Sequence, residues 1–327
     1  MPAARSLSDQ SHDVETRIAV SVVLPVFNGQ DHVAAAVESV LAQTGIEFEL
    51  VVIDDGSTDG TPTALEAFVD DPRFQLIRLP HNKGLVHALN RGISEARGEL
   101  IARLDADDVA LPGRLVAQAD VFAADPAVVL TACAYERVLP SGEKLRRPIP
   151  PLTHGALAMG AWSGNQLCHS AVMFRRSTAL ELGGYRSEWF LVEDYDLWLR
   201  LLEAGLYRGS SFVGARCLVN PEGVSKQNEA RQQTLVVQRS DQFVASLSGS
   251  ERLFQGGVRR TVRHLDATRV ALHRRLTATG TPTEGIDAWA YRWALKAAGR
   301  RSRVMRHLLV ASSAPALWWA GRQERSR

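Results

Sequence analysis

The sequence lacks any long apolar run. The longest nearly uncharged stretch near its C-terminus, residues 308–321, falls short of the about 20 apolar residues that a membrane-spanning helix needs. Residues 1–17 are polar and carry both signs of charge. Without an apolar signal-peptide core they predict a cytoplasmic location. Cysteine is scarce: Cys133, Cys168 and Cys217 are odd in number and far apart in sequence. That pattern fits reduced thiols and excludes a disulfide framework or a zinc site. Three catalytic or phosphate-binding signatures are missing as well. No Gly-x-Gly-x-x-Gly follows the first strand, which excludes the dinucleotide-binding reading. No Gly-x-x-x-x-Gly-Lys-Ser/Thr or Gly-x-Ser-x-Gly stretch exists, which excludes a P-loop NTPase and an α/β-hydrolase elbow.

The rest of the composition is ordinary for a globular protein. The chain has 327 residues, 45% hydrophobic and 23% charged. This length allows two domains, or one large domain with an appendage, and a sizeable core. The net charge of +2 hides an asymmetry. Residues 251–327 hold 16 Lys and Arg against 5 Asp and Glu, a net +11, and the body before them is acidic. A basic C-terminal region of this kind can face anionic lipid or an acidic partner. The acidic body carries no recognised nucleic-acid module, which argues against nucleic acid as a partner.

Residues 19–135 alternate strand-like and helix-like segments. Residues 19–26, 48–53, 74–79, 99–104 and 127–132 read as buried strands. Helices are predicted between them, over 33–41, 59–68, 85–97 (closed by Gly98) and 111–122. The alternation implies right-handed crossovers and a doubly wound, mostly parallel α/β sheet. Residues 140–151 read as a basic, proline-rich loop, and 171–174 and 212–219 as further strands. Residues 195–204 read as a helix, and the chain looks helical from about 227 onward. The organisation expected is a tail over 1–17, a catalytic domain over 18–226 and a basic helical region over 227–327.

In an open parallel sheet, ligands bind beyond the C-terminal strand ends. Three polar clusters fall there: Val26-Phe27-Asn28-Gly29, Asp54-Asp55-Gly56-Ser57-Thr58-Asp59, and Asp105-Ala106-Asp107-Asp108. Any one of them reads equally well as a turn with helix caps. On an extended segment, Asp105 and Asp107 face the same way, and two such carboxylates call for a counter-cation. A hard divalent ion, Mn²⁺ or Mg²⁺, completed by phosphate oxygens, suits them; helix capping by Asp107 or Asp108 is the plainer reading.

The run Ser21–Gly29 (SVVLPVFNG), then Val51-Val52-Ile53-Asp54-Asp55-Gly56-Ser57, Asn82-Lys83-Gly84-Leu85, Ala88-Leu89-Asn90-Arg91-Gly92 and Arg103-Leu104-Asp105-Ala106-Asp107-Asp108 resembles family 2 glycosyltransferases of the GT-A fold. Cys168-His169-Ser170-Ala171 and Glu193-Asp194-Tyr195-Asp196 continue the match, which covers about residues 18–225. The resemblance implies inverting transfer of a sugar from a nucleotide-sugar, UDP by default, to an acceptor hydroxyl. It implies Pro25, Val26, Asn28, Asn82, Lys83 and Gly84 around the nucleotide, with Asp55 on the base. Asp105 would contact the ribose or the metal's water shell. Asp107 would ligate Mn²⁺ or Mg²⁺, and Asp194 would be the general base with Glu193 beside it. His169 is a structural hydrogen-bonder or an acceptor or diphosphate contact. The chain departs from the family at Ser170, where relatives often have Pro, and at Asn220, where they often have Arg or His. Lys226 is the residue placed to compensate. The acceptor would be a sugar, a lipid-linked sugar or a protein. A nucleotidyltransferase and a non-catalytic nucleotide-sugar-binding scaffold are the competing readings. The basic helices, with Trp289, Trp293, Trp318 and Trp319, would either dock peripherally on the inner face of an anionic membrane or pack on the protein or a second copy.

Overall fold

The computed structural model describes residues 18–145, 147–161, 164–219 and 228–247. The tail 1–17, Asn220, Lys226 and the basic stretch from residue 251 lie outside the described residues. Eight strands form one sheet: β1 (Val20–Val26), β2 (Phe48–Asp54), β3 (Phe74–Arg78), β4 (Leu100–Arg103), β5 (Val109–Ala110), β6 (Val128–Val138), β7 (Val172–Arg175) and β8 (Leu206–Leu218). Their order is β3-β2-β1-β4-β7-β6-β8-β5. The β1–β2, β2–β3, β1–β4 and β6–β8 pairs are parallel; β7 runs against β4 and β6, and β5 against β8. The expected mostly parallel α/β sheet is therefore present.

Every residue of β1 and β2 is buried, as continuous apolar runs require when helices cover both faces of a sheet. Helix α1 (Val33–Leu41) packs Val33, Val37 and Val40 against Val22, Leu24 and Val26 on one face. Helix α3 (Leu85–Glu95) packs Leu89 and Ile93 against Val23 on the other. Helices α2 (Thr61–Glu66) and α4 (Arg114–Ala124) complete the first half. The expected helix from 111 begins at Arg114 because β5 and a turn at Pro112 and Gly113 come first. Gly98 does not cap α3, which ends at Glu95. A Cβ at Gly98 would stand 2.6 Å from the Ser21 nitrogen, so its place is a close approach to β1.

Helices α5 (His154–Gly160), α6 (Arg176–Glu181), α7 (Glu193–Ala204) and α8 (Glu229–Leu247) follow. β6 and β8 extend beyond their apolar runs because they pair along their length through three register irregularities. Glu136 and Arg216 thus stay in strands, paired to one another at 3.2 Å. Glu136 also accepts Arg147 at 2.6 Å, which fastens the basic loop to the sheet. Most of α7 is buried, and Phe243 of α8, 1% exposed, joins the core around Trp198.

Candidate active site

The C-terminal ends of β1, β2 and β4 carry the three polar clusters to one edge. Pro25 and Val26 are buried in β1, paired with Ile53 and Asp54. Asn28 follows with φ 52°, a left-handed conformation that asparagine tolerates. Its side-chain oxygen accepts from the Thr58 N–H at 2.9 Å, and its own N–H donates to Ser57 Oγ at 3.0 Å. Asn28 therefore ties the loop after β1 to the loop after β2. In that second loop Gly56 has φ 72°, and a Cβ there would lie 2.5 Å from the His81 carbonyl carbon. Glycine lets the chain of residues 81–84 approach Asp55. Both Asp55 oxygens are then used: one accepts the Lys83 N–H and the other the Gly84 N–H, each at 2.8 Å. Asp55, Asn82, Lys83 and Gly84 come together, with Asp55 as the post that holds the loop. Asn82 and Lys83 are exposed on it.

The acidic cluster after β4 differs from the expectation of two converging carboxylates. The segment is a turn, closed by the Asp108 N–H on the Asp105 carbonyl at 3.1 Å. The protein itself supplies the counter-cation for Asp105: the buried guanidinium of Arg103 donates to Asp105 Oδ1. Ser170 Oγ donates to Asp105 Oδ2 at 2.9 Å and accepts the Asp105 N–H. Burial pushes the Asp105 acid up, but the Arg103 charge and the hydrogen bonds from Arg103 and Ser170 outweigh it and hold it below the usual range. Asp107 has no such pairing; burial and then the Asp105 charge push it up. Asp108 is buried, accepts the Leu218 N–H at 2.8 Å, and is pushed to about 8 by burial and its two acidic neighbours. Neither Asp107 nor Asp108 caps α4, whose N-cap is Gly113.

His169 lies in a 3-10 turn over His169–Ala171. Its Nε2 meets Tyr185 Oη at 2.8 Å, and its ring stands edge-on to Trp198 with centroids 5.7 Å apart. Burial first, then Arg103, lowers it to about 3, so it is neutral and serves as a fixed hydrogen-bonding group. Asp194 is the second residue of α7, not its cap, which is Val192. Its Oδ1 accepts the Tyr195 N–H at 2.6 Å and its Oδ2 accepts Asn165 Nδ2 at 2.7 Å. Burial lifts the Asp194 acid to about 6 against these two bonds. Glu193 is buried, its Oε2 has no hydrogen-bond partner among the described residues, and burial and Asp194 raise it to about 7. Asp105 acts electrostatically on Tyr185, Glu193 and Asp194, and the end of β4 is tied toward α7 through Ser170, which holds Asp105, and His169, which meets Tyr185 and Trp198.

A cavity of about 360 Å³ adjoins Asp107 and Asp108, lined also by Asp31, His32, Arg216 and Leu218. Two thiols that are distant in sequence, Cys168 and Cys217, meet at 3.2 Å beside it. Sequence reasoning missed Arg103, Ser170, Asn165 and Tyr185 as site residues. Ser170 alone carried a signal, as the departure from the proline common in relatives.

A mostly parallel sheet thus carries carboxylates at the C-terminal edge of β4 and at the start of a later helix, α7. The model of Glycosyl transferase family 2 matches residues 21–183. The chain is 33% identical over 194 residues to EpsE of Bacillus subtilis (strain 168), 58% of this chain and 68% of EpsE. It is 30% identical over 189 residues to the amylovoran biosynthesis glycosyltransferase AmsE of Erwinia amylovora, 57% of this chain and 70% of AmsE. S. aureus TarS 1-349 in complex with UDP-GlcNAc shares the fold, with TM-score 0.55, 18% identity and coverage of 70% of this chain and 71% of that 1-349 chain. The chain belongs to the family 2 glycosyltransferases.

Proposed function

We propose that the protein transfers a sugar from a nucleoside-diphosphate sugar to an acceptor hydroxyl with inversion, in polysaccharide, glycolipid or glycan assembly. The observation that carries this reading is the division of labour among its carboxylates. Asp105 is held ionised by Arg103, Asp107 is left unpaired at the same edge, and Asp194 sits across from them with its acid near neutrality. Names among the relatives support a polysaccharide product, and the UDP and UDP-GlcNAc complexes of TarS support UDP as the nucleotide.

In this reading Pro25, Val26 and Asn28 line the nucleotide, and Asp55 and the loop 82–84 close over the base. Asp194 accepts the proton of the acceptor hydroxyl as that oxygen attacks the anomeric carbon. A positioned base of this kind is worth about 10²–10⁴-fold. Asn165 and the Tyr195 N–H stabilise its ionised form and aim it. Neutral His169, fixed by Tyr185 and Trp198, shapes the floor of the site. Glu193 shares the Asp194 proton load, since two adjacent carboxyls, one buried and one half-buried, resist double ionisation.

The residues fit a hard divalent cation. Among the described residues no group of three His, Cys, Asp or Glu surrounds a metal point. One carboxylate that no protein cation holds, Asp107, suits Mn²⁺ or Mg²⁺ whose other ligands are phosphate and water. When bound, such an ion offsets the charge that develops on the departing diphosphate.

The deciding experiment is a thermal-shift panel of nucleotide-sugars with and without Mn²⁺, followed by turnover of Asp194→Asn. A ligand at 100 times its Kd adds about 2.7 kcal/mol, a readily visible shift. Release of nucleoside diphosphate, with kcat lowered about 10²–10⁴-fold in Asp194→Asn and donor affinity kept, supports the reading. Release of pyrophosphate, or loss of donor affinity with kcat intact, refutes it.

A further inference from the structure

Helix α8 grips the chain on both sides of Glu193 and Asp194. Gln232 Nε2 donates to the Leu191 carbonyl at 2.9 Å. Arg239 Nε donates to Asp196 Oδ1 at 2.6 Å, and its guanidinium carbon stands 5.7 Å from the Trp189 ring centroid. The two carboxyls thus lie between anchored points at residues 189–191 and 196.

The anchored turn is one that needs holding. Leu191 has φ 85°, the left-handed region that disfavours leucine. Two residues past Asp194, Asp196 is fully buried and joins two arginines. Arg200 of α7 donates to its Oδ2 through Nε at 2.9 Å and Nη2 at 2.7 Å, and Arg239 of α8 takes Oδ1. Behind these polar contacts, Leu235, Val236 and Phe243 of α8 pack on the core that holds Tyr195 and Trp198. The polar contacts of Gln232 and Arg239, at residues 189–196, fall beyond the stretch 21–183 matched by the family model.

We infer that Gln232 and Arg239 are positioning residues for sugar transfer, and that α8 belongs to the catalytic unit. They fix the backbone at 191 and the side chain at 196, and through these the place of the Asp194 carboxyl relative to the acceptor hydroxyl. The inference rests on Asp194 acting as the base. A displacement of about 1 Å in such a group costs on the order of 10²-fold in rate.

The test uses the full-length chain with Gln232→Ala, Arg239→Met and Arg239→Lys. Three quantities are measured: kcat against donor KM, amide hydrogen exchange at residues 191–196, and the fraction folded. The expected result for Gln232→Ala and Arg239→Met is a kcat lowered by about 10- to 100-fold, donor KM within about twofold, and faster exchange at 191–196 in folded protein. Arg239→Lys keeps the charge and falls between Arg239→Met and wild type. Gln232 is only half-buried, so Gln232→Ala decides the matter where Arg239→Met fails to fold. Unchanged kcat, unchanged exchange, or a kcat loss that merely follows the unfolded fraction overturns the inference. Where the wild type transfers no sugar from any donor, the reading of Asp194 has failed instead. The exchange difference then decides by itself whether α8 holds the turn.

Discussion

Asn165→Ala isolates what tunes Asp194. The carboxyl stands near 6 because burial raises it and two hydrogen bonds hold it down, one from the Tyr195 N–H and one from Asn165 Nδ2 at 2.7 Å. A hydrogen bond to a charged group is worth about 1.5–3 kcal/mol, and 1.36 kcal/mol corresponds to one pH unit. Asn165 is exposed, so water replaces part of the lost bond, and about one pH unit is the expected net effect. The sign follows from which form the bond favours. Asn165 stabilises the carboxylate, so its loss raises the acid and moves the acidic limb of kcat upward, from near 6 to near 7. At about pH 6 the ionised fraction falls from roughly one half to one eleventh, a loss of about fivefold. Above about pH 8.5 both proteins hold the carboxylate and their rates converge. The assay is initial rate at saturating donor and fixed Mn²⁺ from about pH 5 to 9. Bound ligands shift both limbs, so the difference between the proteins is the observable. A limb that stays in place, or a plateau that drops without a limb shift, refutes tuning by Asn165 and leaves only orientation.

The remaining predictions follow from the same geometry. Asp107→Ala keeps the fold but lowers Mn²⁺-dependent turnover by at least about a hundredfold, and metal-independent donor binding by thermal shift stays measurable. Glu193 is buried with its acid raised to about 7, so the folded state holds a proton that the unfolded chain releases from about pH 4.5 upward. That group's contribution to stability is present at low pH and lost as pH rises toward 7. Glu193→Gln should therefore match wild type in Tm near pH 5 and exceed it increasingly toward pH 8; a constant difference across that range refutes the reasoning. Full-length protein should co-sediment with phosphatidylglycerol vesicles at low salt and release at high salt. Binding that ignores salt, or no binding, removes the membrane reading of residues 251–327.

Much of the fold was legible because its signals are local. β1, β2 and β4 are apolar runs that end in turn residues, and α1 and α3 carry their apolar stripes at helical spacing. β5 was invisible because two residues carry no periodicity, and it displaced the start of α4. The outer half of β6 and the first half of β8, residues 206–211, were missed; in β6 the charge of Glu136 is satisfied by Arg216 of β8, so it does not end the strand. The loop contacts were also illegible. Nothing in the sequence links Asn165 to Asp194 across 29 residues, or Arg239 to Asp196 across 43.

The three aspartates after β4 show most plainly what adjacency conceals. By sequence, Asp105, Asp107 and Asp108 read as one acidic motif with one need, a cation. In the fold each has a different partner and a different acid strength. Asp105 has Arg103 and Ser170 and is held down. Asp107 has neither and is raised. Asp108 turns inward to the Leu218 N–H and rises to about 8. The cause is the turn, which breaks the strand alternation after Arg103 and sends successive side chains to unlike surroundings. Arg103, two residues upstream and buried, pairs with Asp105 and not with Asp107. In the proposed reading that pairing leaves Asp107 as the carboxylate for a cation, a division of roles set by one buried arginine that a motif read only for its aspartates does not contain.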